Sequence, residues 1–365
     1  MANLVTCIAL LLTLFVFSKA KAAPTYDVPA VFVFGDSTVD TGNNNKLVTV
    51  VKANFPPYGE AFFNKKATGR FSDGKLVPDY VVSALNLSDS LPPYAGHKVT
   101  ANDFGVCFAS AGTGLDDETA TRFNVQTLAQ QVKEFRLYIG NLSALKGEAE
   151  TQEFLKKSLF ITSVGSNDIM ISYNLFLDRR TTYTLPQYHA FLLDRHKAFL
   201  QQLYELGARN FLVTGLPPIG CLPIQLTLES LKKSIIPGMP AAPRPNKCIQ
   251  DQNNAAASYN KKLQQMIQGL LMKFISKERT RVVYLDNYNR LLDMSNNPEK
   301  YGFTETKRGC CGSGLVEMGP LCNSLDLMCS NPSQYMFFDS VHGTQAAYKV
   351  VAEDVMKVVH AMLAN

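Results

Sequence analysis

Residues 31–45 read VFVFGDSTVDTGNNN. Four β-branched and aromatic residues form an apolar run of the kind that fills a buried strand. The run stops at Gly35-Asp36-Ser37, and a polar loop rich in Asn and Gly follows. A strand that ends this way delivers a serine hydroxyl to the edge of a sheet. The rest of the chain decides what that hydroxyl meets.

Four further short runs resemble Val31–Phe34: Gly105–Ala109, Leu159–Val164, Asn210–Thr214 and Arg281–Leu285. Between and after them lie stretches with apolar residues at helical spacing, namely Val125–Ile139, Gln187–Leu206, Gln252–Ser276 and Thr344–Leu363. Gly207 follows the second as a C-cap, and the last carries Val351, Val355, Val358, Val359, Met362 and Leu363 on one stripe. Strands alternating with helices predict an α/β three-layer sandwich around a central parallel five-stranded sheet. The expected strand order is flavodoxin-like, 2-1-3-4-5. No internal repeat or linker interrupts the pattern, so residues 23–365 read as a single domain.

In that order the first strand is flanked by the second and third. The loops meeting Ser37 are then FASAGTG (108–114) and VGSNDI (164–169). The first offers glycine N–H groups, from Gly112 and Gly114, and the second offers the Asn167 amide. Donors so placed can hold the oxyanion of a tetrahedral intermediate. A serine also needs a base. Of the five histidines, His360 reads as a surface residue of the last helix. His189 and His196, seven apart on the helix 187–206, read as helix surface rather than metal ligands. His97 sits in a polar loop with no acid close by in sequence. His342 lies in FFDSVHGT (337–344), three residues after Asp339. That spacing lets the carboxylate hold one ring nitrogen while the other faces a serine. Asp36 and Asp168 read as fixing loop geometry, and Arg70 as a loop surface residue.

The composition is that of a globular protein, with 46% hydrophobic and 18% charged residues and a formal net charge of +5. No Lys/Arg run points to nucleic acid or to a polybasic membrane patch. Leu4–Phe17 is apolar and Ala20-Lys21-Ala22 has a cleavage-site pattern, so residues 1–22 read as a secretory signal peptide. No other run is long enough to cross a membrane, and the mature chain is expected to be secreted, extracellular or in the cell wall. Cys221 and Cys248 bracket a proline-rich loop, while Cys310, Cys311, Cys322 and Cys329 crowd one segment. In an exported chain they read as disulfides, Cys221 with Cys248 and two bridges among the last four. Zinc held by those four is the alternative, but they contain no C-x-x-C pair. Cys107 is left over as a buried thiol. Asn86-Leu87-Ser88 and Asn141-Leu142-Ser143 are glycosylation triplets.

These segments resemble the plant GDSL esterase/lipase family of the SGNH hydrolase superfamily. The motifs that carry the resemblance run in order along nearly the whole mature chain. They are FVFGDSTVDTGNNN, PPYGEAFFNKKATGRFSDGKLVPDY (56–80), VCFASAGTGLDD, FITSVGSNDI, GLPPIGCLP (215–223), CCGSG (310–314) and FFDSVHGTQAAY. The resemblance implies a hydrolase of carboxylic esters without a cofactor. It implies Ser37 as nucleophile, His342 as base, Asp339 as its orienter, and Asn167 with a glycine as oxyanion donors, Gly114 being favoured over Gly112. The substrate is then a small-molecule or lipid acyl ester. An acyltransferase using the same acyl-enzyme and an inactive binding protein are the rival readings, and the oligomeric state is left open. The chain departs from the family at Cys107, often Asn, at Gly343, usually Pro, and at Phe338, commonly Trp. The α/β-hydrolase elbow G-x-S-x-G is absent.

Overall fold

A computed structural model describes residues 27–234, 243–275 and 279–364. The signal-like segment at residues 1–22 lies outside them. Strands β1 (Val31–Gly35), β2 (Leu159–Ser163), β3 (Asn210–Thr214) and β4 (Arg281–Leu285) pair in parallel in that order. A second, two-stranded parallel sheet joins β5 (Glu305–Gly309) to β6 (Tyr335–Phe337). The helices in the first half of the chain are α1 (Val77–Ala84), α2 (Asp117–Thr121), α3 (Leu128–Lys146), α4 (Glu148–Lys157) and α5 (Asp178–Thr182). Those in the second half are α6 (Leu185–Glu205), α7 (Pro223–Ser234), α8 (Gln250–Ile275), α9 (Asn287–Asn296) and α10 (Gln345–Ala364).

The expected fifth strand, Gly105–Ala109, is corrected. It lies parallel along the outer edge of β1 but joins it by an isolated bridge at Cys107. Hydrogen bonds still connect the two, from Val33 N to Val106 O at 3.2 Å and from Phe108 N to Val33 O at 2.7 Å. Gly105 explains the break. Its φ is +96°, and a Cβ there would lie 2.1 Å from the Val31 carbonyl oxygen. The backbone therefore approaches β1 in a conformation that regular extended strand does not use.

Parallel strands are buried on both faces, and their side chains divide by alternation. Phe32, Phe34, Phe160 and Phe211 point into a core closed by α3, α6 and α8. Val31, Val33, Leu159 and Ile161 point the other way, onto α1 and α10. Helix starts follow their caps. α3 begins at Leu128, three residues later than the apolar spacing suggests, because Thr127 and Gln130 cap each other. Gln130 N donates to Thr127 Oγ1 at 3.3 Å, and Thr127 N donates to Gln130 Oε1 at 2.7 Å. Gly207 ends α6 with φ +112°, as its place in the sequence predicts.

Three disulfides pair Cys221 with Cys248, Cys310 with Cys329, and Cys311 with Cys322. The four clustered cysteines are thus bonded to each other rather than available as zinc thiolates. Cys107 is a buried free thiol that donates to Val39 O, and burial raises its pKa to about 12. Asn86 and Asn141 are both exposed. Among the described residues, no helix is long and apolar enough to cross a membrane.

Candidate active site

The site begins where β1 ends. Gly35 has φ +138°, and a Cβ on it would fall 1.9 Å from the Ser163 carbonyl oxygen. Only glycine permits that approach, and Asp36 N then donates to the same oxygen at 3.0 Å. Gln131 of α3 clasps Gly35 from the other side, accepting from its N–H at 3.0 Å and donating to its carbonyl at 2.9 Å. The Asp36 carboxylate accepts from Thr38 N at 3.0 Å and Thr38 Oγ1 at 2.7 Å. Burial raises its pKa to about 6, against the pull of those bonds. The strand end, the glycine and the aspartate together fix the turn that carries Ser37.

Ser37 Oγ lies 2.8 Å from His342 Nε2. His342 Nδ1 faces the Asp339 carboxylate at 2.9 and 2.8 Å from its two oxygens. Asp339 is fully buried and also accepts from the N–H groups of Val341 at 2.8 Å and His342 at 2.7 Å. The ring is thereby held between the two, Nδ1 on the carboxylate and Nε2 on the serine hydroxyl. Phe71 packs on the imidazole, with ring centroids 4.7 Å apart.

Asn167 and the glycine loop reach the same edge. Asn167 Nδ2 donates one hydrogen to Thr113 O at 2.9 Å, and among the described residues its second hydrogen meets no acceptor. Among the described residues, the N–H groups of Ser37, Gly112 and Gly114 donate to no protein acceptor. Gly112 has φ +90°, while a Cβ on Gly114 would lie 2.2 Å from Asp168 Oδ1. Asp168 accepts from Leu115 N, Asp116 N and Thr119 Oγ1, and burial pushes its pKa up to about 7. It is a loop clamp, as read from the sequence.

The Asn-rich loop is a clamp that sequence reading did not resolve. Asn43 Nδ2 donates to the carbonyls of Cys107 and Ala109, and Asn44 Nδ2 donates to that of Ala111. Asp40, its pKa raised by burial to about 6, accepts from Gly42, Asn43 and Ala111 N–H groups. Residues 40–44 thus hold the segment 107–111 that carries the glycines into place. Tyr58 was also missed. Its hydroxyl donates to Asp339 Oδ2 at 2.8 Å and accepts from Gly319 N at 2.8 Å. Burial, and then the charge of Asp339, push its pKa well above the ordinary phenol value. The only sequence signal for it was its place in the PPYG motif.

Three readings of the sequence are corrected. Arg70 is a buried anchor, not a surface residue. Its guanidinium grips both oxygens of Asp79 at 2.8 and 2.7 Å and donates to the carbonyls of Thr41 and Leu91. His189 and His196 face the interior between α6 and α8. Burial lowers the pKa of each to about 4. His97 does meet an acid, Asp103, at 2.8 Å, six residues on.

This geometry stands beside a clear likeness to known proteins. The family described as GDSL-like Lipase/Acylhydrolase matches residues 31–355. The chain belongs to that family. Three Arabidopsis thaliana proteins, each named as a GDSL esterase/lipase, are 42%, 38% and 40% identical to this GDSL hydrolase. The alignments cover 98%, 92% and 91% of this chain and 97%, 90% and 86% of theirs. Among solved structures, a lipase from a goat rumen metagenome aligns over 90% of this chain and 96% of its own. Its TM-score of 0.37 and 12% identity are too low to bear on the fold. Family membership makes the protein a carboxylic ester hydrolase.

Proposed function

We propose that this GDSL hydrolase is secreted and cleaves acyl esters through an acyl-enzyme on Ser37. The observation that carries the mechanism is the 2.8 Å contact between Ser37 Oγ and His342 Nε2, backed by Asp339 on the other ring nitrogen. His342 takes the hydroxyl proton as Ser37 Oγ attacks the ester carbonyl carbon. The carbonyl oxygen gains the negative charge and is met by the free Asn167 hydrogen and by backbone N–H groups of Ser37 and the glycine loop. Collapse of the intermediate breaks the ester C–O bond, and His342 returns the proton to the leaving alcohol. Water, deprotonated by His342, then frees the acid and restores Ser37. Removing one such oxyanion donor typically costs ~10²–10³ in rate. Asn167→Ala should therefore lower kcat by that order with little change in KM.

Secretion is supported by the signal-like residues 1–22 and by three disulfides, which persist in oxidising compartments. The test of the mechanism is labelling by a small fluorophosphonate, beside Ser37→Ala and His342→Ala. Labelling of the wild type that both variants lose, while keeping their melting temperatures, is the expected result. A folded wild type that takes no label overturns the acyl-enzyme reading.

A further inference from the structure

Helix α3 turns Leu128, Val132, Phe135, Tyr138 and Leu142 into the core, and one polar side chain, Gln131, is fully buried among them. An amide on an apolar face is costly unless its polar atoms are bonded. Gln131 Oε1 accepts from Gly35 N at 3.0 Å, and Nε2 donates to Gly35 O at 2.9 Å. The second Nε2 hydrogen goes to Thr113 Oγ1 at 3.2 Å. That hydroxyl also lies 2.6 Å from the Ser110 carbonyl oxygen and 2.7 Å from that of Gln126. Its own hydrogen is committed to those carbonyls, so a lone pair faces the amide.

We infer that Gln131 is a positioning residue, a strut that fixes the separation between the Ser37 hydroxyl and the donors at Gly112, Gly114 and Asn167. The inference rests on the serine-hydrolase reading above and adds a residue outside the reacting groups. At one end of the planar amide is Gly35, two residues before Ser37. At the other is Thr113, which stands between Gly112 and Gly114 and whose carbonyl accepts from Asn167 Nδ2 at 2.9 Å. A backbone bond from Ser110 N to Gly35 O, 3.0 Å long, ties only the start of the glycine loop to the same strand end. Gln131 holds the loop three residues further on, where the donors are. Satisfying the Gly35 backbone takes two of its bonds, and the third reaches the loop. In a tetrahedral intermediate the attacking oxygen and the oxyanion share one carbon, so the spacing of nucleophile and donors is fixed by the chemistry. A misplacement of about 1 Å there costs on the order of 10²-fold in rate.

Gln131→Met keeps the length of the side chain and removes all three bonds. Thr113→Val removes the hydroxyl alone and leaves the clasp on Gly35. Both variants and their combination are assayed on p-nitrophenyl acetate, well below their melting temperatures, with the rate of fluorophosphonate labelling as a second readout. Each single variant is expected to lose roughly ten- to a hundredfold in kcat with KM little changed. Labelling should slow in parallel, because the phosphonyl oxygen uses the same donors. The double variant should lose no more than Gln131→Met alone, since both substitutions break one link. Wild-type kcat in a folded Thr113→Val overturns the strut, a result available even where Gln131→Met does not fold. Losses that multiply in the double variant overturn it too, as does a Gln131→Met that melts earlier but keeps its kcat. A wild type that neither hydrolyses the ester nor takes the label faults the hydrolase reading instead.

Discussion

Tyr58 stands one hydrogen bond behind Asp339. Its hydroxyl donates to the carboxylate and accepts from Gly319. A hydrogen bond to a charged group contributes about 1.5–3 kcal/mol. Tyr58→Phe removes that bond and strands the Gly319 N–H, while keeping the ring against Phe338. Steady-state kinetics should show a fall in kcat of roughly tenfold to a hundredfold, with KM little changed. Equal loss in both constants would mean that the tyrosine shapes the substrate pocket instead. At this scale the sequence was most legible for the residues proposed to react. Ser37, Asp339 and His342 stand out because a strand end and an i,i+3 Asp/His spacing are local signals. Tyr58 and Asn43 act across long separations, 281 residues for the Tyr58–Asp339 bond and 64 for the Asn43–Cys107 bond. No local pattern marks such partners.

Among the elements, α1 and the pair α6–α8 carry the sharpest expectations. Arg70 and Asp79 are almost wholly buried, at 4% and 0% exposure, so deleting one leaves the other as an uncompensated charge. Arg70→Met should cost about 3–5 kcal/mol of stability, read as a lowered midpoint in chemical denaturation. The sequence disguised this pair because a buried ion pair and a surface arginine look alike in a polar loop. The same blindness applied to His189 and His196. Helical spacing put them on one face but did not say that α8 would cover that face. Their folded pKa values, near 4, lie below the ordinary 6.5, because burial disfavours the charged ring. The unfolded chain then binds protons that the folded chain refuses between about pH 6.5 and 4. Their contribution is full above that window and lost as pH falls through it. His196→Phe should therefore lose less melting temperature than the wild type between pH 7 and pH 5. Equal slopes would show that the ring is accessible to protons in the folded state.

Across the whole molecule, the layers were readable and the minor sheet was not. Four strands and the four long helices follow from period and alternation. β5 is polar (ETKRG), β6 is only three residues long (YMF), and their segment is shaped by cysteines more than by apolar pattern. Cys310–Cys329 and Cys311–Cys322 close the loop that carries Gly319 to Tyr58 and the Glu317 carbonyl to Ser340 N. Each bridge of this size contributes about 2–4 kcal/mol. The double variant Cys311→Ser/Cys322→Ser should lose activity at temperatures where circular dichroism still reports the central sheet. Coincident loss of both signals would show that the loop and the sheet unfold together.

The hydrogen bond from Ser37 to His342 spans 305 residues of chain. A ribosome delivers the serine early and the imidazole late, and until both are present there is no reactive group. On the proposed mechanism the nascent protein is chemically silent until its last segment is made. By the same proposal, a single proteolytic cut that sheds the segment bearing Asp339 and His342 would switch the enzyme off, leaving an intact serine with no base to activate it.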